Sequence, residues 1–308
     1  MTADLATMRA LLSQQIIADQ QRQARKPYQQ FLLYRQQRLA SALDTAGESA
    51  LLDQIQGCKR PRSPVCGSLY CPKCYSFFRD AQQKLVDRNI INKHSSVADL
   101  HKNLRSLTIL HSVIPLDQYH QIDLKLLRSD IRKHRRKFET LAKRTFPSIS
   151  MVGAFEFEIH DQINNLQMPR KQATVIDLPN ASFFWPSRHI LIFHSHLLVD
   201  LNGTSDANFI AACKRRWPSK NAVLVKRLTN NQQKPISKSI QHIVRYPFKA
   251  QFSYPDPNRD NPDLWESLPD GYSIPDQNKR PIDDLPLATL ISTYQSLGVK
   301  GLRIIHTR

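Results

Sequence analysis

The sequence predicts an α+β protein built on one antiparallel sheet, and three observations carry that prediction. Residues 104–114 ("LRSLTILHSVI") and 150–160 ("SMVGAFEFEIH") have strand patterning, the second alternating strictly between apolar and polar positions. Between them, residues 116–144 repeat apolar side chains at Leu124, Leu127, Ile131, Phe138 and Leu141, close to the helical period. A further strand at 188–201, a helix at 205–217 opened by a Ser205 or Asp206 cap, and a strand at 221–228 follow. The resulting β-α-β-β-α-β order is that of the ferredoxin-like, RRM-like arrangement, whose first and third strands lie together at the centre of the sheet.

The flanking segments read in order along the chain. Residues 1–45 are rich in Gln, Arg, Leu and Ala, without Gly and with one Pro, and predict a helical arm. A cysteine-rich segment at 58–78 follows, and "FFRDAQQKLVDRNI" reads as a helix leaving it. The connection 161–187 carries Pro169, Pro179 and Pro186 and reads as a long hairpin insertion. A helix at 236–246 places Ile240, Ile243 and Val244 on one side. An acidic, proline-rich loop at 255–285 precedes a closing helix and strand. The expected division is 1–100 for the arm and cysteine segment, 101–254 for the core, and 255–308 for the remainder.

At 308 residues with 41% hydrophobic side chains the chain can bury a substantial core. It has no apolar run of membrane-spanning length and no signal-peptide pattern at its start, so a soluble cytoplasmic protein is expected, with no membrane partner. Its 44 Lys and Arg exceed 26 Asp and Glu, giving a formal charge of +18. Residues 255–285 alone hold eight acids and three bases, which leaves about +23 on the rest. That excess calls for an anionic partner, nucleic acid first. Arg132, Lys133, Arg135, Arg136 and Lys137 in the first predicted helix, and Lys214, Arg215 and Arg216 in the second, are the expected phosphate contacts.

Three constellations carry chemistry. In "FHSHLLV" a strand would project His194 and His196 from one face and Ser195 from the other. Taken by itself the pair also reads as two polar residues at the wet end of a strand. Glu156 and Glu158 alternate on the preceding strand and would stand beside the histidines if the two strands pair. Two imidazoles with one carboxylate suit a catalytic Mn²⁺ or Mg²⁺ with open positions. In "VRYPFKAQF", Tyr246 lies at a helix end before Pro247, with Lys249 three residues on, and a nucleophilic phenol needs such a cation nearby. Finally, four of the five cysteines, Cys58, Cys66, Cys71 and Cys74, cluster at a spacing that suits one structural Zn²⁺; Cys213 reads as a small buried residue.

In this order, "CGSLYCPKC", "LRSLTIL", "HSHLLV" and "VRYPFK" resemble the motifs of rolling-circle plasmid replication initiators of the HUH endonuclease superfamily. The resemblance covers about residues 58–250. It implies His194 and His196 as metal ligands with a third from "GAFEFEIH", Tyr246 as nucleophile and Lys249 as its helper. It also implies nicking of single-stranded or hairpin origin DNA through a 5′-phosphotyrosine, a freed 3′-OH that primes a host polymerase behind a host helicase, and later rejoining. Ser195 departs from the family pattern, which has an apolar residue between the histidines. A transposase or mobilisation relaxase of the same superfamily is the nearest alternative. From another class, a non-enzymatic nucleic-acid-binding protein on an RRM-like sheet would need stacking aromatics on its open face.

Overall fold

The computed structural model describes residues 26–63, 65–116, 122–161, 188–219, 221–231, 235–248, 250–254 and 280–307, with only the backbone of 26–31 and of Tyr246. Expectations for 1–25, for 162–187 and for 255–279 lie outside these residues. The chain is α+β: a five-stranded antiparallel open sheet with helices on both faces.

Helices α1 (Lys26–Thr45) and α2 (Ser49–Gln56) precede the cysteine segment, and α3 (Pro72–Asn89) leaves it. Pro72 suits the first helical turn, where its missing N–H costs no internal bond. Helix α4 (Val97–Asn103), capped by Ser96, feeds directly into β1 (Leu104–Pro115). The predicted first core helix is α5 (Leu124–Thr140); the Asp123 carboxylate accepts the N–H groups of Lys125 and Leu126 at 2.8 and 3.0 Å and fixes its start. Strands β2 (Ser150–Asp161) and β3 (His189–Asp200) follow, then α6 (Asp206–Arg216), capped by Ser205, and β4 (Val223–Arg227). Helix α7 (Ile236–Arg245) runs into a tight turn at Tyr246–Phe248. Helices α8 (Asp284–Leu297) and α9 (Val299–Leu302) lead to β5 (Arg303–His306). Helix α8 starts at Asp284, inside the stretch expected to be loop up to 285.

The strand order is β4-β1-β3-β2-β5, so β1 and β3 are central neighbours and β5 extends the sheet beyond β2. Side chains alternate across the two faces. On one face Phe155, Phe157 and Phe193 meet Phe138 of α5, with Phe155 and Phe138 rings 6.1 Å apart and Phe157 stacked on Phe193 at 5.0 Å. Burying each such ring contributes about 1.5–3 kcal/mol. On the other face Val152 and Leu198 pack under Val86 of α3, Ile90 just beyond its end, and Ile240 and Val244 of α7. This second face also carries His194 and His196.

Two irregularities shape the sheet. The β1–β3 register shifts between Leu110 and Ser112, a bulge at His111. Beyond the reach of β5, side chains close the outer edge of β2. Tyr294 Oη accepts the Phe157 N–H at 2.9 Å and donates to its carbonyl at 3.2 Å. The Gln251 amide does the same for Ile159, at 2.8 and 2.9 Å. These backbone groups, buried beside α8, would otherwise be left unmet.

Candidate functional site

The register of β2 on β3 builds the first site. Glu156 stands opposite His194, and Ala154 stands opposite His196. Small Ala154 leaves the His196 ring room to lean diagonally towards the same carboxylate. Glu156 Oε2 lies 3.2 Å from His194 Nε2 and 3.3 Å from His196 Nε2, and the three ligand atoms lie within 4.8 Å of one another. Metal–ligand bonds of about 2.0–2.2 Å would set neighbouring ligand atoms about 3 Å apart, so the observed spacing suits one shared ion. Glu156 is buried, and a buried carboxylate between two imidazoles is the donor set expected to hold a cation rather than to stand in water.

Glu158, the other candidate, faces Ile192 in the ladder, and its carboxylate lies 3.3 Å from His160 Nε2. Register thereby separates the two glutamates: Glu156 joins the histidines and Glu158 does not. The close approach of the strands depends on Gly153, where a Cβ would meet the His196 carbonyl oxygen at 2.1 Å and Leu197 Cα at 2.7 Å.

Thr108, which the sequence reading did not single out, lies opposite His196 on β1, and its hydroxyl is 2.9 Å from His196 Nδ1. A hydroxyl accepting from Nδ1–H leaves the Nε2 lone pair for a metal, as outer partners of metal-binding histidines do. The signal was present: Ser106 and Thr108 alternate with Leu107 and Ile109 along β1.

Ser195 points to the other face as expected. There its hydroxyl lies 3.1 Å from His111 Nε2, and the His111 ring sits among Phe155, Phe193 and His134. Burial holds the His111 imidazole well below the usual range. The small polar side chain between the two site histidines is therefore matched by a buried histidine from the β1 bulge.

The turn Tyr246–Phe248 packs against β2 and β3, the strands that carry the triad, with Phe248 buried. The Tyr246 side chain and Lys249 lie outside the described residues. Tyr254, the next tyrosine, is buried; its hydroxyl accepts the Asp283 N–H at 3.3 Å and burial pushes its phenol up to about 12.

Cys58, Cys66, Cys71 and Cys74 form a second group, all buried and none in a disulfide. Cys74 Sγ lies 3.6 Å from Cys58 Sγ and 3.5 Å from Cys66 Sγ, close to the edge of a tetrahedron with about 2.3 Å metal–sulfur bonds. Hydrogen bonding from Cys66 holds Cys71 down to about 5, helped by the Lys73 and Cys74 backbone N–H groups at the start of α3. Arg60 Nε approaches Cys74 Sγ at 3.3 Å, and Gln295 of α8 donates to the Cys66 carbonyl at 3.0 Å, tying the unit to the core. Cys213 is buried apart from this group, with its thiol pushed up to about 12 by burial.

The basic residues divide. Arg135 donates to the Gly301 and Arg303 carbonyls, Lys137 to the Arg216 carbonyl at 2.9 Å, and Arg216 to Thr145 Oγ1 at 2.6 Å, so these three brace the fold. Arg132, Lys133, Arg136, Lys214 and Arg215 are exposed. Helix α5 packs on the phenylalanine face, so these cations lie across the sheet from Glu156, His194 and His196. Comparison with protein-family models, with curated proteins and with solved structures finds no match. Among the described residues no helix is long and apolar enough to cross a membrane.

Proposed function

We propose that the chain is a metal-dependent DNA strand-transfer enzyme of the HUH type, a rolling-circle plasmid replication initiator acting on single-stranded origin DNA. The observation that carries this reading is the convergence of Glu156 with His194 and His196 on paired strands. The central β1–β3 pair within a β1-α5-β2-β3-α6-β4 succession supports it, since that is the strand order of a ferredoxin-like core. So does the packing of the Tyr246 turn against β2 and β3.

In this reading Glu156, His194 and His196 hold Mn²⁺ or Mg²⁺, which when bound polarises the scissile phosphate as a Lewis acid. Tyr246 gives up its phenolic proton and attacks phosphorus. The bond to the 3′ oxygen breaks, that oxygen takes a proton to leave as a 3′-OH, and the 5′-phosphate stays on the tyrosine as a diester. Lys249 stabilises the phenolate. The bond energy retained in the diester permits rejoining when a 3′-OH returns. Cys58, Cys66, Cys71 and Cys74 hold a structural Zn²⁺.

Tyr254 supports a single nucleophile, because a buried phenol raised to about 12 and engaged with the Asp283 backbone is poorly suited to a second attack. That weighs against a two-tyrosine transposase or relaxase. An RRM-like binder is disfavoured by the triad-bearing face itself. Its central positions are Ser106, Thr108, Leu110, Ile192, His194, His196 and Leu198, while Phe155, Phe157 and Phe193 are buried on the other face.

The test is incubation with labelled single-stranded oligonucleotides and Mn²⁺, followed by denaturing electrophoresis. Wild type is expected to form a denaturant-resistant adduct, with Tyr246→Phe and His194→Ala forming none. An adduct undiminished in Tyr246→Phe removes the nucleophile assignment.

A further inference from the structure

The cations of α5 and α6 are separated from the triad by the sheet, yet they are not scattered. Arg132, Lys133, Arg136, Lys137 and Arg216, with Ser129 and Thr140, line an open depression of about 540 Å³ that has no carboxylate in its lining. Arg132, Lys133 and Arg136 enter no ion pair among the described residues. Lys137 and Arg216 are held in place by the Arg216 carbonyl and Thr145. Burial and the neighbouring Lys133 hold the Lys137 ammonium below its usual range, the mark of positive charge packed without compensation.

A smaller recess of about 110 Å³ adjoins the depression and shares Lys133 and Lys137 with it. His111, Ser112 and His134 line it, with Asp130 as its single acid. Here His111 Nδ1 and Ser112 Oγ are buried without a hydrogen-bond partner, two polar atoms able to meet an oxygen of a bound group.

A route joins the two faces. On the triad side, Thr108 stands between His196 and Leu224, and Ser106 stands next to Lys226. Leu224 is 47% exposed and Lys226 is exposed, so an uncovered strip runs from His196 to the β4 edge. Around that edge lies α6, which packs beside β4 and presents Lys214 and Arg215.

We infer that the α5–α6 depression is a second contact site for the nucleic-acid strand, gripping phosphates several nucleotides away from those at the triad. The identity of the strand rests on the proposed nuclease reading; the binding itself does not. The path from the triad past β1 and β4, down one layer of about 10 Å and back over α6 is on the order of 30 Å, about nine nucleotides of stacked strand at about 3.4 Å each. A strand crossing the triad, turning at the β4 edge and lying along α5 engages both.

The test is the salt dependence of binding a fluorescent single strand of about 30 nucleotides, long enough to span both sites. It uses zinc-loaded protein without added manganese or magnesium. Arg132→Ala/Arg136→Ala removes two exposed cations of the depression; Lys59→Ala/Arg62→Ala removes the same charge from the cysteine segment. The first variant is expected to lower the slope of log K against log salt by about 1.4, about 0.7 for each lost phosphate contact, and the affinity about tenfold at low salt. The second is expected to change the slope by less than about 0.5. Equal effects of the two variants overturn the inference. Because this assay reads no cleavage, it separates from the Mn²⁺ adduct assay: slope loss here with no adduct there keeps this site and removes the nuclease reading, and an adduct there with an unchanged slope here does the reverse.

Discussion

Glu156 and His194 face each other across the β2–β3 ladder, with the carboxylate Oε2 3.2 Å from the imidazole Nε2. Glu158, two residues on, faces Ile192 and turns to His160. Two glutamates of one strand face thus have different partners, and metal affinity tests whether they differ in role. Titration of Mn²⁺ into the zinc-loaded protein is expected to show Glu156→Gln losing more than the roughly 10–100-fold that outer-partner changes cost, and Glu158→Gln staying within about threefold of wild type. Comparable losses in both would contradict the assignment.

Thr108 is expected to act through His196 rather than on the substrate. Thr108→Val keeps the shape and removes the hydroxyl 2.9 Å from Nδ1, so Mn²⁺ affinity should fall about 10–100-fold, with Thr108→Ser restoring most of it. Thermal unfolding of the metal-free site serves as control. A purely structural role would shift the unfolding temperature and leave the affinity alone.

The cysteine unit is expected to stabilise by a different route. Four buried thiols pinned to α8 through Gln295 should hold one zinc per chain by elemental analysis. Cys74→Ser is expected to lose that zinc and lower the unfolding temperature, because the free energy of binding a structural zinc is also folding free energy. Cys213→Ser, buried elsewhere, should leave the zinc content unchanged.

The far face carries a pH response. Burial holds His134 down to about 4, and its Nδ1 accepts the Trp217 indole N–H at 3.1 Å. Since the folded pKa lies below the unfolded value of about 6.5, stability is full above about 6.5 and is lost as pH falls through 4, by up to about 3 kcal/mol. His134→Gln, which retains an acceptor, should flatten this acid loss when unfolding is followed between pH 7 and 4. An unchanged profile would place the acid sensitivity elsewhere.

Much of this arrangement was legible along the chain because strand alternation is local. It put His194 with His196 and Glu156 with Glu158, and the apolar repeat Leu127, Ile131 and Phe138 gave α5 its buried side. The choice of Glu156 was not legible, since it depends on how β2 registers against β3, and that is fixed by the close passage of Gly153 under Leu197. The bulge at His111 was hidden for the same reason: an extra residue in one strand exists only relative to its partner. The apolar alternation of Phe155 and Phe157 marks the face of β2 that α5 covers, and the cations of α5 stand across the sheet from the triad. The position of β5 beyond β2, with Tyr294 and Gln251 completing that edge, follows from packing of α8, which no local pattern encodes.

The most direct measurement is mass-spectrometric mapping of the peptide that carries DNA after reaction of the wild-type protein with a single-stranded origin oligonucleotide and Mn²⁺. The account predicts a 5′-phosphate diester on the peptide containing Tyr246, absent when His194 or Glu156 is replaced. A linkage on any other residue, or one that forms equally in His194→Ala, would contradict it.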